Sequence, residues 1–171
     1  MATNELFPVV AGIVIGKATR GECHSGSMIL HPVVHLHIFS LDHGSLYLQK
    51  RSPLKDIQPN KWDTAVGGHV DFGETILDAL CRESREELSL QGFTPIHLRT
   101  YIFQSSIERE MVHSYATFVD PATVSITPDH DEVTEGKFWN VDEINENLGK
   151  GIFTPNFEQE FVVIKEEIET K

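Results

Sequence analysis

The sequence predicts an α/β fold in which a mixed β-sheet is covered by helices on both faces. Three observations lead there. Residues 33–39 alternate, with Val34, Leu36 and Ile38 on one face and Val33, His35 and His37 on the other, the period of a strand. Residues 75–88 carry apolar positions at helical intervals, and so do Phe157, Phe161, Ile164 and Ile168 near the end of the chain. Strands interleaved with and followed by amphipathic helices are accommodated by a sheet sandwiched between helical layers.

The elements are expected in the following order. A hairpin opens the chain, with strands at 7–10 and 13–17 and a turn at Gly12. The strand at 33–39 turns through Asp42-His43-Gly44 into a second strand at 45–50. A polar, proline-containing loop at 52–61 is long enough to carry function. The helix that follows starts at Thr75, which forms a capping pair with Asp78, and meets no Gly or Pro before Gly92. Leu77, Leu80, Cys81 and Leu88 are its expected core stripe. Strands at 97–104 and 111–119 flank a tip at 105–110. A short strand at 136–140 and a short helix at 141–148 come next. Thr154 and Pro155, an N-cap and an N1 proline, open the last helix.

With 171 residues, 40% apolar and 23% charged, the chain suits one domain spanning 1–171. A net charge of −12 argues against a nucleic-acid or anionic-membrane surface, but a bound cation still permits a small anionic substrate. No apolar run approaches the roughly 18 residues of a membrane span, and no signal segment is evident, so a cytoplasmic protein is expected. Cys23 and Cys81 give no reason to expect a disulfide.

The most informative stretch is 68–90. Gly68 is followed by Glu74, then Arg82-Glu83, then Glu86-Glu87. At about 100° per residue, Glu83, Glu86 and Glu87 share an arc of roughly 100°. Their mutual repulsion, about a few tenths of a kcal/mol per i,i+4 pair, is relieved by a divalent cation. All-oxygen ligation suits Mg²⁺ or Mn²⁺. A solvated acidic face is the plain alternative, but it has no need of Gly68, Glu74 and Arg82 in register.

That arrangement resembles the Nudix box, G-x5-E-x7-R-E-U-x-E-E-x-G-U, at every charged position. The resemblance implies a Nudix-type α/β/α sandwich and a Mg²⁺- or Mn²⁺-dependent pyrophosphohydrolase acting on a small-molecule diphosphate. Metal ligands would be Glu83, Glu86 and Glu87. Arg82 would hold their geometry, Glu74 would brace the loop and Gly68 would allow close backbone approach. Two positions depart from the pattern. Ser84 replaces a bulky residue and is expected to bond back to its own helix, and Ser89 replaces the terminal glycine, so the exit turn is expected to differ.

Leu46 to Ser52, Trp62-Asp63 and Gly67-Gly68-His69 are similar to the branch that joins type I isopentenyl-diphosphate isomerases with isomerase-like Nudix hydrolases. Matching segments run from about Gly21 to Asp142. The isomerases place an acid–base cysteine where this chain has Gly67, which disfavours isomerisation. Their metal site implies a second ligand set here of His24, His31, His69, Glu108 and Glu110. His35 and His37 have no such match and are expected as plain strand-face residues.

Lys50 and Arg51 are candidate phosphate contacts, Arg51 the better one for its planar fork. Glu86, Glu110 and Glu132 are all open as the general base. Trp62 and Phe72 are expected in the core rather than stacked on a base. The substrate is not legible. A non-catalytic metabolite-binding module on the same fold is a further alternative, and a homodimer stays open because dimers are common in the family.

Overall fold

A computed structural model describes residues 5–11, 14–55, 57–131 and 133–170. Strands β1 (Leu6–Val10) and β2 (Val14–Thr19) pair antiparallel as a separate two-stranded sheet, the expected opening hairpin; Gly12 and Ile13 lie outside the described residues. Helix α1 (Arg20–Cys23) is one turn closed by a capping box between Thr19 and Glu22, too short for periodicity to reveal. Strands β3 (Leu30–Ser40) and β4 (Ser45–Arg51) follow the 33–39 and 45–50 expectations, each slightly longer.

The β3–β4 hairpin splays after a single pair, Phe39 with Leu46. The chain from Trp62 to His69 crosses the resulting gap as two short strands. β5 (Trp62–Thr64) pairs with β4 and β6 (Val66–His69) with β3. Helix α2 (Ile76–Leu88) then leads to β7 (Ile96–Gln104), β8 (Arg109–Val119) and β9 (Val133–Asn140). Helices α3 (Val141–Asn147) and α4 (Pro155–Glu169) end the fold. The large sheet runs β5-β4-β3-β8-β7, with β6 added to β3 and β9 to β4. Its β3–β8 pairing is parallel and all the others antiparallel, so the sheet is mixed as expected.

Alternation along β3 sorts the two cores. Val34, Leu36 and Ile38 pack with Ala79, Leu80 and Leu88 under α2. Phe39 packs on the opposite face with Phe157, Phe161, Ile164 and Ile168 of α4, all buried. Each such apolar side chain stabilises by about 1.5–3 kcal/mol on burial. The result is the expected α/β/α sandwich. The loop between β4 and β5 closes on itself, Arg51 N–H donating to Lys61 O (2.8 Å) and Asn60 N–H to Arg51 O (3.2 Å).

The α2 stripe corrects the sequence reading. Its buried row is Ala79, Leu80, Ser84 and Leu88, whereas Leu77 and Cys81 are exposed. The helix is rolled toward its glutamates so that Glu83 lies against Gly68, which leaves Leu77 and Cys81 on the solvent flank. Ser84 is buried and its hydroxyl donates to Leu80 O at 2.7 Å, as expected. The exit turn does not differ in the way expected. Ser89 itself takes the left-handed conformation (φ 54°), and its N–H donates to Arg85 O. Phe72 is also a correction: it is 46% exposed with the Lys17 ammonium over its ring, while Trp62 is buried.

Candidate active site

Arg82 is the hub of the box. Its Nε and Nη2 donate to the two oxygens of Glu74 at 2.8 and 3.0 Å, a bidentate pair. Nη1 donates to Glu83 (2.8 Å) and Glu86 (3.3 Å), and Nη2 also reaches the backbone oxygen of His69 (3.0 Å). Glu74 in turn accepts from the Asp71 backbone N–H at 3.0 Å, closing the loop that precedes α2. The Arg82 hydrogen bonds lower the Glu74 carboxyl below its usual range. Glu83 goes the other way: burial raises it against the pull of Arg82.

Glu83 owes its position to Gly68. A Cβ at residue 68 would overlap the Glu83 carboxyl group, so only glycine admits that side chain. One residue earlier, the Gly67 N–H donates to Glu87 at 3.4 Å. Glu83 and Glu87 thus meet strand β6, and together with Glu86 they line a cavity of about 820 Å³. Arg51 lines it from the end of β4, its Nε donating to Ile57 O (3.1 Å) and its Nη1 3.6 Å from Asp63. Lys50 does not line it, because successive strand residues face opposite sides. Glu132 lies outside the described residues. Asp129, tied by its N–H to Glu87 O at 2.9 Å, brings a carboxylate to the cavity that the sequence reading missed.

The second predicted set converges too. Ligand-type atoms of His24, His31, His69 and Glu110 lie within 4.8 Å of one another, drawn from the end of α1, β3, β6 and β8. Glu108 stands at the edge, 3.1 Å from His24 Nε2. His31 is fully buried with Nδ1 against Ile29 O (2.9 Å), which fixes its Nδ1–H tautomer and turns the Nε2 lone pair inward. Nε2 of His24, His31 and His69 are all buried without a hydrogen-bond partner among the described residues. Burial lowers His24 to about 4, helped by its histidine neighbours, and lowers His31 as well, so both are neutral at pH 7. Phe7 of β1 stacks on His69 (ring centroids 4.5 Å) and roofs the cluster. Neutral imidazoles with inward lone pairs beside a carboxylate are a fitting donor set for a divalent metal.

His35 and His37 are more than strand-face residues. His35 Nδ1 lies 2.8 Å from Glu160 of α4 and His37 Nε2 3.3 Å from its other oxygen. A signal existed in the sequence, since Glu160 falls inside the apolar row Phe157, Phe161, Ile164, and a carboxylate there needs a partner.

A mixed-sheet sandwich with an arginine-tied row of glutamates on one helix beside a glycine strand defines a Nudix-type protein. The NUDIX domain model matches residues 30–157, and the chain belongs to that family. An uncharacterized Nudix hydrolase of Clostridium acetobutylicum is 30% identical over 155 residues, 84% of this chain and 74% of that protein. An isopentenyl-diphosphate Delta-isomerase of Mycolicibacterium vanbaalenii is 30% identical over 131 residues, 72% of this chain and 70% of that one. Among solved structures, a Deinococcus radiodurans protein superposes with a TM-score of 0.75 at 23% identity, over 92% of this chain and 97% of that one, a likeness of fold. The chain is a Nudix hydrolase by family, and Nudix hydrolases use divalent metals and act on small molecules. No described helix is long and apolar enough to cross a membrane.

Proposed function

We propose that this protein hydrolyses a phosphoric anhydride bond in a small organic diphosphate with Mg²⁺ or Mn²⁺. The observation that carries this is the wall of Glu83, Glu86 and Glu87 along one cavity, with Arg51 in the same cavity. Those three glutamates would hold the metal. When bound, the ion would neutralise phosphate charge and acidify an attacking water. Arg82 gathers and orients the carboxylates of Glu74, Glu83 and Glu86, and Arg51 offers its fork to a phosphate oxygen. Glu86 lines this cavity while Glu110 belongs to the histidine cluster, which favours Glu86 as the base. Gly67 has no side chain with which to move a proton, which disfavours isomerisation.

A panel of dinucleotides, nucleotide sugars, nucleoside triphosphates and isoprenoid diphosphates, assayed with each ion, tests the proposal. Glu86→Gln and Glu87→Gln are each expected to lower turnover by about a hundredfold or more while folding normally. Near-normal turnover in both variants would sink it.

A further inference from the structure

His35 lies where β3 faces the cavity, directly opposite Gly67 in the β3–β6 pairing. A Cβ at residue 67 would stand 3.5 Å from His35 Cδ2 and 3.7 Å from Nε2, so the bare glycine leaves the Nε2 edge of the ring open. The same Gly67 donates its N–H to Glu87, which puts His35 just across one peptide from the box carboxylates. The other edge of the ring is fixed, with Nδ1 2.8 Å from Glu160, whose side chain is only 3% exposed. Among the described residues, Nε2 makes no hydrogen bond. The Nδ1–Glu160 separation is that of a hydrogen bond; two ligands on one tetrahedral metal stand about 3.4 Å apart at bond lengths of about 2.1 Å.

A buried carboxylate is stable when paired with a cation. Burial alone would lower His35, but the Glu160 carboxylate overrides it and raises His35 to about 9; Glu160 is held well below its usual range by His35 and His37. His37 (ring centroids 6.3 Å from His35) and Tyr101 of β7, whose hydroxyl is hydrogen-bonded to Glu160, also face this pair, and Glu110 and Asp63 act on His35 from further away. Arg20, Arg51 and Lys55 also line this cavity, and His35 adds a cation on its β3 side.

We propose that His35 is a phosphate-binding residue: Glu160 fixes the ring through Nδ1, and Nε2–H donates to a phosphate oxygen in the space left by Gly67. This rests on the diphosphate hydrolase function proposed above. The substrate's phosphates would then be held between the box helix on one side and β3 on the other. Glu160 is a positioning residue that acts through His35, and Gly67 provides the clearance.

The test uses methylenediphosphonate, which carries two phosphonates and cannot be hydrolysed, with saturating Mg²⁺. Calorimetry is expected to show binding to the wild type, weakened about tenfold to a hundredfold in His35→Gln and also reduced in Glu160→Gln. Long-range ¹H–¹⁵N spectra of the wild type are expected to show the His35 Nε2 resonance shift as the probe saturates, a readout that needs no variant to fold. Equal affinity in folded His35→Gln, or an Nε2 resonance unmoved by saturating probe, overturns the proposal. If His35→Gln also cleaves diphosphates normally, the hydrolase function survives and only the His35 role falls. A wild type that neither binds the probe nor cleaves any diphosphate removes both.

Discussion

Two clusters meet at β6, and they are assembled in opposite ways. The box draws Glu83, Glu86, Glu87 and Arg82 from a single helix, with Arg82 already hydrogen-bonded to Glu83 and Glu86 and to Glu74 of the loop before it. The histidine cluster draws each donor from a different element, and its three Nε2 atoms lie 3.1 to 3.7 Å from Glu108 or Glu110 without a hydrogen bond among the described residues. In the first, an arginine offsets the charge of the glutamates. In the second, burial has removed charge from His24 and His31. The lesson is that both can present a cation with ligands, one through local spacing and one through tertiary convergence alone.

The contrast can be broken from either side. Gly68→Ala strikes the box: its Cβ needs the room of the Glu83 carboxyl, and displacing that proposed metal ligand by about 1 Å is expected to cost about a hundredfold in turnover. The outcome is read by steady-state kinetics with Mg²⁺ in excess, and unaltered turnover would mean that Glu83 placement is immaterial. His24→Ala strikes the cluster only, since His24 is partly exposed and its loss leaves a small gap. Affinity for Mn²⁺ at the cluster is expected to drop by more than the about tenfold that loss of an outer-shell partner costs. Competition with a metal-sensitive dye measures it, and an unchanged number and affinity of bound ions would remove the cluster as a metal site. The smallest effect sharpens the box side. Ser89→Gly relieves a serine held at φ 54° and is expected to stabilise by about 1 kcal/mol, seen as a raised Tm with turnover unchanged.

What the sequence made legible follows the same division. The box and the α4 row Phe157, Phe161, Ile164 and Ile168 are periodic on one helix, and both lie where spacing puts them. β5 and β6 were not anticipated because residues 62–69 hold two adjacent glycines and no alternation; they are strands by virtue of the gap that β3 and β4 leave. The Leu77 and Cys81 expectation failed because a helical stripe fixes a face but not its roll against the sheet. The five-residue histidine–glutamate set came from a family resemblance and not from spacing, and Glu108 sits at its margin. Glu160 with His35 required a contact between the two ends of the chain.

The parallel pairing of β3 with β8 sets the order in which these sites can come into being. The box's own hydrogen bonds close short loops, from Gly67 to Glu87 at most. His31 and Glu110 face each other only once β8 has docked on β3, after the whole intervening chain has closed into a loop. A metal taken up by the histidine cluster would act only on the finished structure, and its entire binding free energy would count toward keeping the protein folded.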